Sequence, residues 1–176
     1  MKTLVYLIGE PGSGKSTVAE HLFHEIPGEP KAEPFAHVAH PHCVELGARR
    51  EAFSGTDALP MNVQPAVVPM ILASEADLFF AEGDRLANEK FFLACAASKI
   101  RMLLFLLWVP HALAAQRRAD RGSAQNPTWL KGRISKVSNL WGTFGAPSRA
   151  LDGRLSPPEI VAKMREFPEV EAMVAP

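Results

Sequence analysis

Residues 9–16 read Gly-Glu-Pro-Gly-Ser-Gly-Lys-Ser, which is the spacing G-x-x-x-x-G-K-S/T of a phosphate-binding loop (P-loop). Glycines in such a loop let backbone N–H groups turn inward around phosphate oxygens, and the helix that follows adds partial positive charge. Lys15 is expected to act catalytically on the β- and γ-phosphates, and the hydroxyl of Ser16 to ligate Mg²⁺. The segment therefore predicts a site for a nucleoside triphosphate. The predicted nucleotide-binding residues are Gly12, Ser13, Gly14, Lys15, Ser16 and Thr17.

The sequence on either side of this loop predicts the elements that position it. Residues 3–8 form an apolar, β-branched run expected to be a buried strand, and residues 15–25 have a helical pattern. A strand, a loop and a helix in this order are the context that the motif requires. The alternative, a fortuitous glycine turn, does not account for that order.

Three acidic residues could serve transfer of a phosphoryl group to a hydroxyl, which needs a carboxylate to take or orient the proton of the acceptor. Glu82 follows the apolar residues 78–81, so we expect it at the carboxyl end of a central strand, either in the Mg²⁺ shell or as a base. Asp57 lies in a polar turn and is predicted to be catalytic and substrate-binding, or else an N-cap of the following segment. Asp84 is a candidate substrate ligand, with a helix N-cap as the simpler explanation.

Positive charge is concentrated in residues 117–136, although the formal net charge of the chain is zero. The single acid there is Asp120, so an anionic partner is expected. Trp129, close to Lys131 and Arg133, is suited to stacking on a nucleobase while the cations follow a nucleic-acid backbone. The alternative is a helix that packs toward the core through Trp129, Ile134, Val137 and Trp141 while its lysines stay in water.

Three further arginines are candidate acceptor-side residues. Arg49 and Arg50 follow the apolar stretch 44–46 and could contact the acceptor or form a solvated pair. Arg85 could orient the acceptor or a phosphate, with a surface ion pair as the alternative. The histidines at 37, 40 and 42, followed by Cys43, lack the paired-ligand pattern of a zinc site, so an extended loop with exposed imidazoles is expected.

The composition indicates a globular protein. The 176 residues fall within the range of one domain, and 47% are hydrophobic and 22% charged. Two widely spaced cysteines fit free thiols in a reducing compartment, so a cytoplasmic location is expected. The apolar stretch 102–109 is too short to cross a bilayer, which predicts no membrane span.

The order of apolar runs predicts an α/β P-loop NTPase fold: a parallel sheet of about five strands, helices on both faces and an arginine-bearing lid. The whole chain, 1–176, is expected to be one kinase domain with the lid at about 117–141. The predicted strands are 3–8, 77–82, 102–109 and 147–151, with an extended segment at 35–46; the predicted helices are 15–25, 63–74, 84–98, 111–121, 127–141 and 157–167. No N-K-x-D guanine-reading motif is present, and the chain is short for a motor ATPase, which favours a kinase.

Four segments resemble the small-kinase branch of P-loop enzymes, with features also found in nucleotide, gluconate and shikimate kinases. These segments are 9–16, 78–85, 109–121 and 151–161. The resemblance implies ATP-dependent phosphotransfer with Mg²⁺ and a lid that closes over the triphosphate. It further implies that Arg117 and Arg118 bind the triphosphate and that Arg121 stabilises charge on the transferred group.

Residues 45–59, 82–88 and 125–129 resemble bacteriophage kinases that phosphorylate the hydroxymethyl group of 5-hydroxymethyluracil in DNA. This resemblance implies DNA with a modified pyrimidine as the acceptor and the host cytoplasm as the location. Two alternatives stay open: a nucleoside, nucleotide or other small-molecule kinase, and a nucleotide-dependent binding or switch protein.

Overall fold

Helices and strands alternate along most of the chain in the computed structural model, which describes residues 1–48, 54–123 and 125–175. The strands are β1 Thr3–Ile8, β2 Glu29–Lys31, β3 His37–Ala39, β4 Val44–Leu46, β5 Leu78–Glu82, β6 Arg101–Trp108 and β7 Ala150–Asp152. The helices are α1 Lys15–Leu22, α2 Gln64–Ala73, α3 Glu89–Ala97, α4 His111–Asp120, α5 Pro127–Phe144, α6 Pro157–Arg165 and α7 Pro168–Met173. Two short 3₁₀ helices span Gly55–Ala58 and Pro147–Arg149.

Within the described residues, seven strands form one sheet in the order β2-β3-β4-β5-β1-β6-β7. The strands from β4 to β7 in this order pair in parallel, whereas β2 and β3 extend the sheet in antiparallel fashion. The predicted α/β fold with a largely parallel sheet is confirmed, but the count of about five strands is wrong. The extended segment at 35–46 contributes two strands, and β2 was not predicted because a strand of three residues leaves no alternating pattern to detect.

Both faces of the sheet are covered by helices, as predicted. Leu4, Tyr6 and Ile8 of β1 lie in a core layer formed with residues of α2, α3 and α5. Val5 and Leu7 point to the opposite layer, which contains residues of α1, α6 and α7. Because β1 is buried on both faces, its sequence is a continuous apolar run rather than an alternating one.

Several predicted boundaries are wrong by a few residues. The helix predicted at 84–98 begins at Glu89, because Asn88 caps it by accepting a hydrogen bond from the N–H of Phe91 at 2.9 Å. The helix predicted at 157–167 ends at Arg165, since Pro168 starts α7 and disfavours a helical residue before it. The strand predicted at 147–151 is instead a 3₁₀ turn followed by β7.

The start of α6 is confirmed in its details. The backbone N–H of Ser156 donates to Glu159 Oε2 at 2.9 Å, which is one half of a capping box. Proline at the first turn fits the same start, because its missing N–H would have had no helical partner.

The segment predicted as a lid, residues 117–141, comprises the end of α4 and most of α5. Val137 and Leu140 of α5 are buried in the core beside β6. The second half of α5 is therefore part of the folded core and not a detached flap. Among the described helices, none combines the length and the hydropathy that a bilayer span requires.

Close backbone contacts bring the 3₁₀ helix Gly55–Ala58 against the sheet. Gly47 has φ +109°, and a Cβ there would lie 2.0 Å from the carbonyl oxygen of Gly55. Gly55 has φ +59°, and a Cβ there would lie 2.4 Å from Glu82 Oε1. Only glycine fits either position, so these two residues allow the segment that carries Asp57 to reach the ends of β4 and β5.

We expect Gly47→Ala to lower the free energy of unfolding by about 3 kcal/mol or more, because it adds both a backbone clash and left-handed strain. Gly122→Ala is the matched control: Gly122 has φ +64°, but no atom of the described residues lies within 4 Å of an added Cβ. The control should lose only about 1 kcal/mol. Urea denaturation of both variants measures the difference, and equal losses would contradict the close contact.

Candidate active site

The P-loop connects β1 to α1 and is packed tightly against α4. Gly12 and Gly14 have φ of +91° and +101°, and a Cβ on Gly12 would lie 2.5 Å from the carbonyl oxygen of Ala114. The side chain of Ser13 is buried, and its Oγ has no hydrogen-bond partner among the residues that the structure describes. A left-handed glycine loop with an unpaired hydroxyl at the start of a helix is a suitable cradle for phosphate oxygens.

Lys15 is the first residue of α1 and its ammonium is buried. Its Nζ donates to the carbonyl oxygens of Gly9 at 2.8 Å and Glu10 at 3.2 Å. Burial lowers the pKa of Lys15, because desolvation disfavours the charged form, while the negative charge of Glu82 opposes this shift. The loop thus holds a buried cation whose partners are neutral carbonyl groups, a position suited to phosphate charge.

Glu82 ends β5 beside the P-loop and is 2% exposed. Its Oε1 accepts hydrogen bonds from Ser16 Oγ and Ser54 Oγ, each at 3.1 Å. Burial raises the pKa of Glu82 to about 7, against the opposing effect of Lys15. A hydroxyl and a carboxylate so close together supply the oxygen ligands that Mg²⁺ prefers, so Ser16 and Glu82 fit this ion, directly or through water.

Asp57 caps the turn that follows β5. Its Oδ1 accepts hydrogen bonds from the backbone N–H groups of Asp84 at 2.8 Å and Arg85 at 3.0 Å. In the same turn, the carbonyl oxygen of Gly83 accepts a hydrogen bond from the hydroxyl of Tyr6 at 3.0 Å. The N-cap of α2 is Val63 and that of the 3₁₀ helix is Ser54, so the prediction of Asp57 as a cap of its own following segment is wrong.

Asp84 connects this turn to α5. Its Oδ1 accepts from Lys136 Nζ at 2.9 Å, and its Oδ2 forms an ion pair with Arg133. The helix N-cap expected at Asp84 is Asn88, as described above. Asp84 therefore ties the turn after β5 to the middle of α5.

Arg85 belongs to the turn that Asp57 caps. Its Nη2 lies 3.5 Å from the carbonyl oxygen of Asp57, and its Nη1 contacts Met61 Sδ. Within the described part of the chain, no carboxylate is close enough to form the surface ion pair that was the alternative for Arg85. The other predicted acceptor-side arginines, Arg49 and Arg50, lie outside the described residues.

The arginines of α4 bind the P-loop from outside. Arg117 donates to the carbonyl oxygens of Ser13 at 3.0 Å and Gly153 at 2.9 Å, and Arg118 donates to that of Pro11. Arg121 is exposed at the end of α4, where its Nε donates to the carbonyl oxygen of Arg117. A pocket of about 360 Å³ lies between this helix end, the P-loop with Thr17, and the start of α6.

Trp129 lies on the exposed side of α5 and is 41% accessible to solvent. The guanidinium carbon of Arg133 lies 5.0 Å from its ring centroid, at cation–π distance. For Trp129 the alternative of packing into the core is wrong, whereas Val137 is buried in the core and Trp141 packs against it, as that alternative expected. An exposed aromatic ring at this position is available to a partner.

The segment that was expected to be an extended loop of exposed imidazoles contains two antiparallel strands, β3 and β4. The side chain of His40 is 3% exposed, lies 3.3 Å from Glu45 Oε2 and stacks on Phe23 at 4.6 Å. The expectation of an exposed imidazole is therefore wrong for His40. Nowhere in the described residues do three or more histidine, cysteine, aspartate or glutamate side chains group as ligands for a metal ion.

Sequence reasoning missed several groups that build the site. Tyr6 is the only tyrosine in the chain and lies inside an apolar strand, which was a signal for a specific hydroxyl contact. Ser54 precedes Asp57 in the same polar turn. Glu10 is 7% exposed and lies 3.0 Å from His111 Nδ1, a pair 101 positions apart that no local pattern indicates.

The fold and the P-loop place the protein in the class of P-loop kinases. Enzymes of this class are phosphotransferases. The P-loop Nucleotide Kinase3 family matches residues 1–160, so the chain belongs to that family. No curated protein matches the sequence. Membership in a kinase family argues against the alternative of a binding or switch protein.

Three solved structures have the same fold at low sequence identity. A gluconokinase from Sinorhizobium meliloti 1021 is 17% identical with a TM-score of 0.54, over 98% of this chain and 93% of that chain. A sugar kinase from Janibacter sp. HTCC2649 is 13% identical with a TM-score of 0.56, over 100% and 99%. A deoxyadenosine kinase from M. mycoides is 9% identical with a TM-score of 0.51, over 93% and 97%.

Proposed function

We propose that the protein transfers the γ-phosphoryl group of ATP to a hydroxyl group of the acceptor. The observation that carries this proposal is the cluster of Lys15 and Ser16 with the buried carboxylate of Glu82, where the P-loop meets the end of β5. Ser16 and Glu82 would hold Mg²⁺, which when bound balances charge on the β- and γ-phosphates. Lys15 and the nearby Arg121 contribute fixed positive charge to the same phosphates.

In the proposed step, the acceptor oxygen bonds to the γ-phosphorus while the bond from that phosphorus to the β–γ bridging oxygen breaks. ADP leaves, and the hydroxyl proton passes to a carboxylate. Asp57 is our candidate for this carboxylate, because its Oδ1 is fixed by two backbone N–H groups at the acceptor side of Glu82. Transfer of this kind depends mostly on positioning and charge, so a rigidly held carboxylate suits the task.

The acceptor that we propose is the hydroxymethyl group of 5-hydroxymethyluracil in DNA. The exposed ring of Trp129, with Arg133 over it and the exposed Lys131 nearby, supports a nucleic-acid acceptor. Stacking on an aromatic side chain is a common means of holding a base that has left its helix. The second candidate is a free nucleoside or nucleotide, which is supported by the family description and the similarity to a deoxyadenosine kinase.

An acceptor panel with γ-labelled ATP tests this proposal. The panel contains DNA with and without 5-hydroxymethyluracil, the free nucleoside and its monophosphate, and gluconate. We expect label only on DNA that contains the modified base. Label on free nucleosides or nucleotides but not on DNA would replace the first candidate with the second.

We expect Trp129→Ala to raise KM for the DNA acceptor about 10-fold without changing KM for ATP, because base stacking contributes about 1–3 kcal/mol. Trp108→Ala is the matched control, since Trp108 is 50% exposed but lies outside α5. Steady-state kinetics on modified DNA measures both. An equal effect of the two variants would contradict stacking on Trp129.

A further inference from the structure

The P-loop contains one acidic residue, Glu10. A carboxylate is unfavourable in a loop that binds a triphosphate, because like charges repel each other over several ångströms. The side chain of Glu10 is only 8% exposed, so salt and water screen its charge weakly. Binding of a nucleotide therefore requires a group that holds this carboxylate in place and offsets its charge.

The imidazole of His111 makes such a contact. Its Nδ1 lies 3.0 Å from Glu10 Oε1 and 3.0 Å from Oε2. An ionised carboxylate can only accept, so Nδ1 carries the hydrogen and donates it. Within the described residues, no other side chain pairs with this carboxylate. The side chain of His111 is itself 73% exposed, so the contact fixes a buried carboxylate without burying the imidazole.

The same contact joins the P-loop to the start of α4. His111 is the first residue of this helix, and the N-cap position is Pro110, which provides no side-chain cap. A negative charge beside the first turn of a helix is stabilising, so the carboxylate of Glu10 favours this arrangement. Further along α4, Arg118 donates to the carbonyl oxygen of Pro11 in the loop. The helix thus holds the loop at the side chain of Glu10 and at the backbone of the next residue.

The backbone of Glu10 belongs to the nucleotide site. Its carbonyl oxygen accepts from Lys15 Nζ at 3.2 Å and from the N–H of Ser13 at 3.0 Å. The carboxylate of the same residue is therefore within one side-chain length of the ammonium that the phosphates require. Without the contact to His111, this carboxylate would be free to pair with Lys15 in place of the phosphates.

We infer that His111 is a positioning residue for the donor nucleotide: it holds the carboxylate of Glu10 against α4, and so keeps a negative charge away from the phosphates and from Lys15. The inference concerns the donor site alone. It does not depend on which acceptor the enzyme uses.

A double-mutant cycle on nucleotide binding tests this inference. The wild type, His111→Ala, Glu10→Gln and the double variant are titrated with a non-hydrolysable ATP analogue in the presence of Mg²⁺, and calorimetry gives the Kd. We expect His111→Ala to raise the Kd about 10-fold, because the released carboxylate repels the triphosphate. In the Glu10→Gln background, His111→Ala should change the Kd by less than about 2-fold, since glutamine carries no charge.

His42→Ala is the matched control, because His42 is an exposed histidine outside the P-loop and α4. It should bind the analogue as the wild type does. If His111→Ala raised the Kd equally in both backgrounds, His111 would act through packing alone and the inference would be wrong. An unchanged Kd for His111→Ala in the wild-type background would overturn it as well.

His111→Gln provides a second measure of the same contact. Its amide can still donate a hydrogen bond to Glu10, so its Kd should lie between those of the wild type and His111→Ala. A Kd as high as that of His111→Ala would contradict the role of the hydrogen bond. Because binding of the analogue needs no acceptor, these results stand even if no acceptor of the panel is phosphorylated and the proposed function fails.

Discussion

Lys15→Ala is expected to lower kcat for phosphoryl transfer by about 10²- to 10³-fold while the protein remains folded. The ammonium is buried next to Glu82 and bonded to the carbonyl oxygens of the loop, so its charge is fixed before the nucleotide binds. Such a preorganised charge acts on the transferred group without reorganisation during the reaction. The free energy of unfolding depends less on this ammonium than the rate does. Desolvating a cation is costly, and alanine removes that cost.

Labelled transfer to the acceptor measures the rate, and urea denaturation measures the free energy of unfolding. Lys163→Ala is the control, because Lys163 is an exposed lysine of α6. Near-normal transfer by Lys15→Ala would overturn the proposed role of the P-loop. Loss of folding in that variant would show instead that the lysine is needed for structure.

Glu82→Gln is expected to make the nucleotide-free protein more stable than the wild type at high pH. Burial raises the pKa of Glu82 from 4.5 to about 7, so the folded state binds this proton more tightly than the unfolded state. The resulting stabilisation is fully present below pH 4.5 and is lost as the pH rises through about 7. The difference of about 2.5 pKa units corresponds to about 3 kcal/mol. Glutamine is not ionised and avoids this loss.

Urea denaturation at pH 5.5 and pH 8.5 tests this expectation. Glu82→Gln should exceed the wild type by about 3 kcal/mol at the higher pH and by much less at the lower one. Glu166→Gln, at an exposed position of the chain, should follow the wild type at both. The same offset between Glu82→Gln and the wild type at both pH values would show that Glu82 does not titrate in this range.

The activity of Glu82→Gln should fall although its stability rises, because a neutral amide is a poor ligand for Mg²⁺. In the wild type, kcat/KM should increase with pH up to about 7, since the carboxylate must be deprotonated to act. Higher Mg²⁺ concentrations should move this rise to lower pH, because a bound cation favours the ionised form. A flat profile between pH 5.5 and 8.5 would contradict the role of Glu82 as a carboxylate.

The parts of the site that could be predicted are those formed by neighbouring residues. The P-loop is eight consecutive residues between a strand and a helix, and its conformation follows from its own glycines. The position of Glu82 followed from the apolar strand before it. Both features are local, so one sequence contains the information for them.

The contacts that could not be predicted join residues far apart in sequence. Asp84 accepts a hydrogen bond from Lys136 of α5, which is 52 positions away in sequence. Asp57 caps a turn that is 27 positions away. Asp84 was expected to cap α3 because aspartate favours that position, yet Asn88 lies nearer to the helix and takes it. The short strands β2 and β3 form through pairing of β2 with β3 and of β3 with β4, and such pairing leaves no pattern in three residues.

The edges of the sheet have a consequence for how the protein behaves at high concentration. Strand β2 has the sequence Glu29-Pro30-Lys31 and is fully exposed. Proline has no N–H to donate to an incoming strand, and charges on either side oppose the approach of an apolar partner. At the other edge, β7 has only three residues. Because neither edge is a template for strand addition, the sheet resists edge-to-edge growth into aggregates.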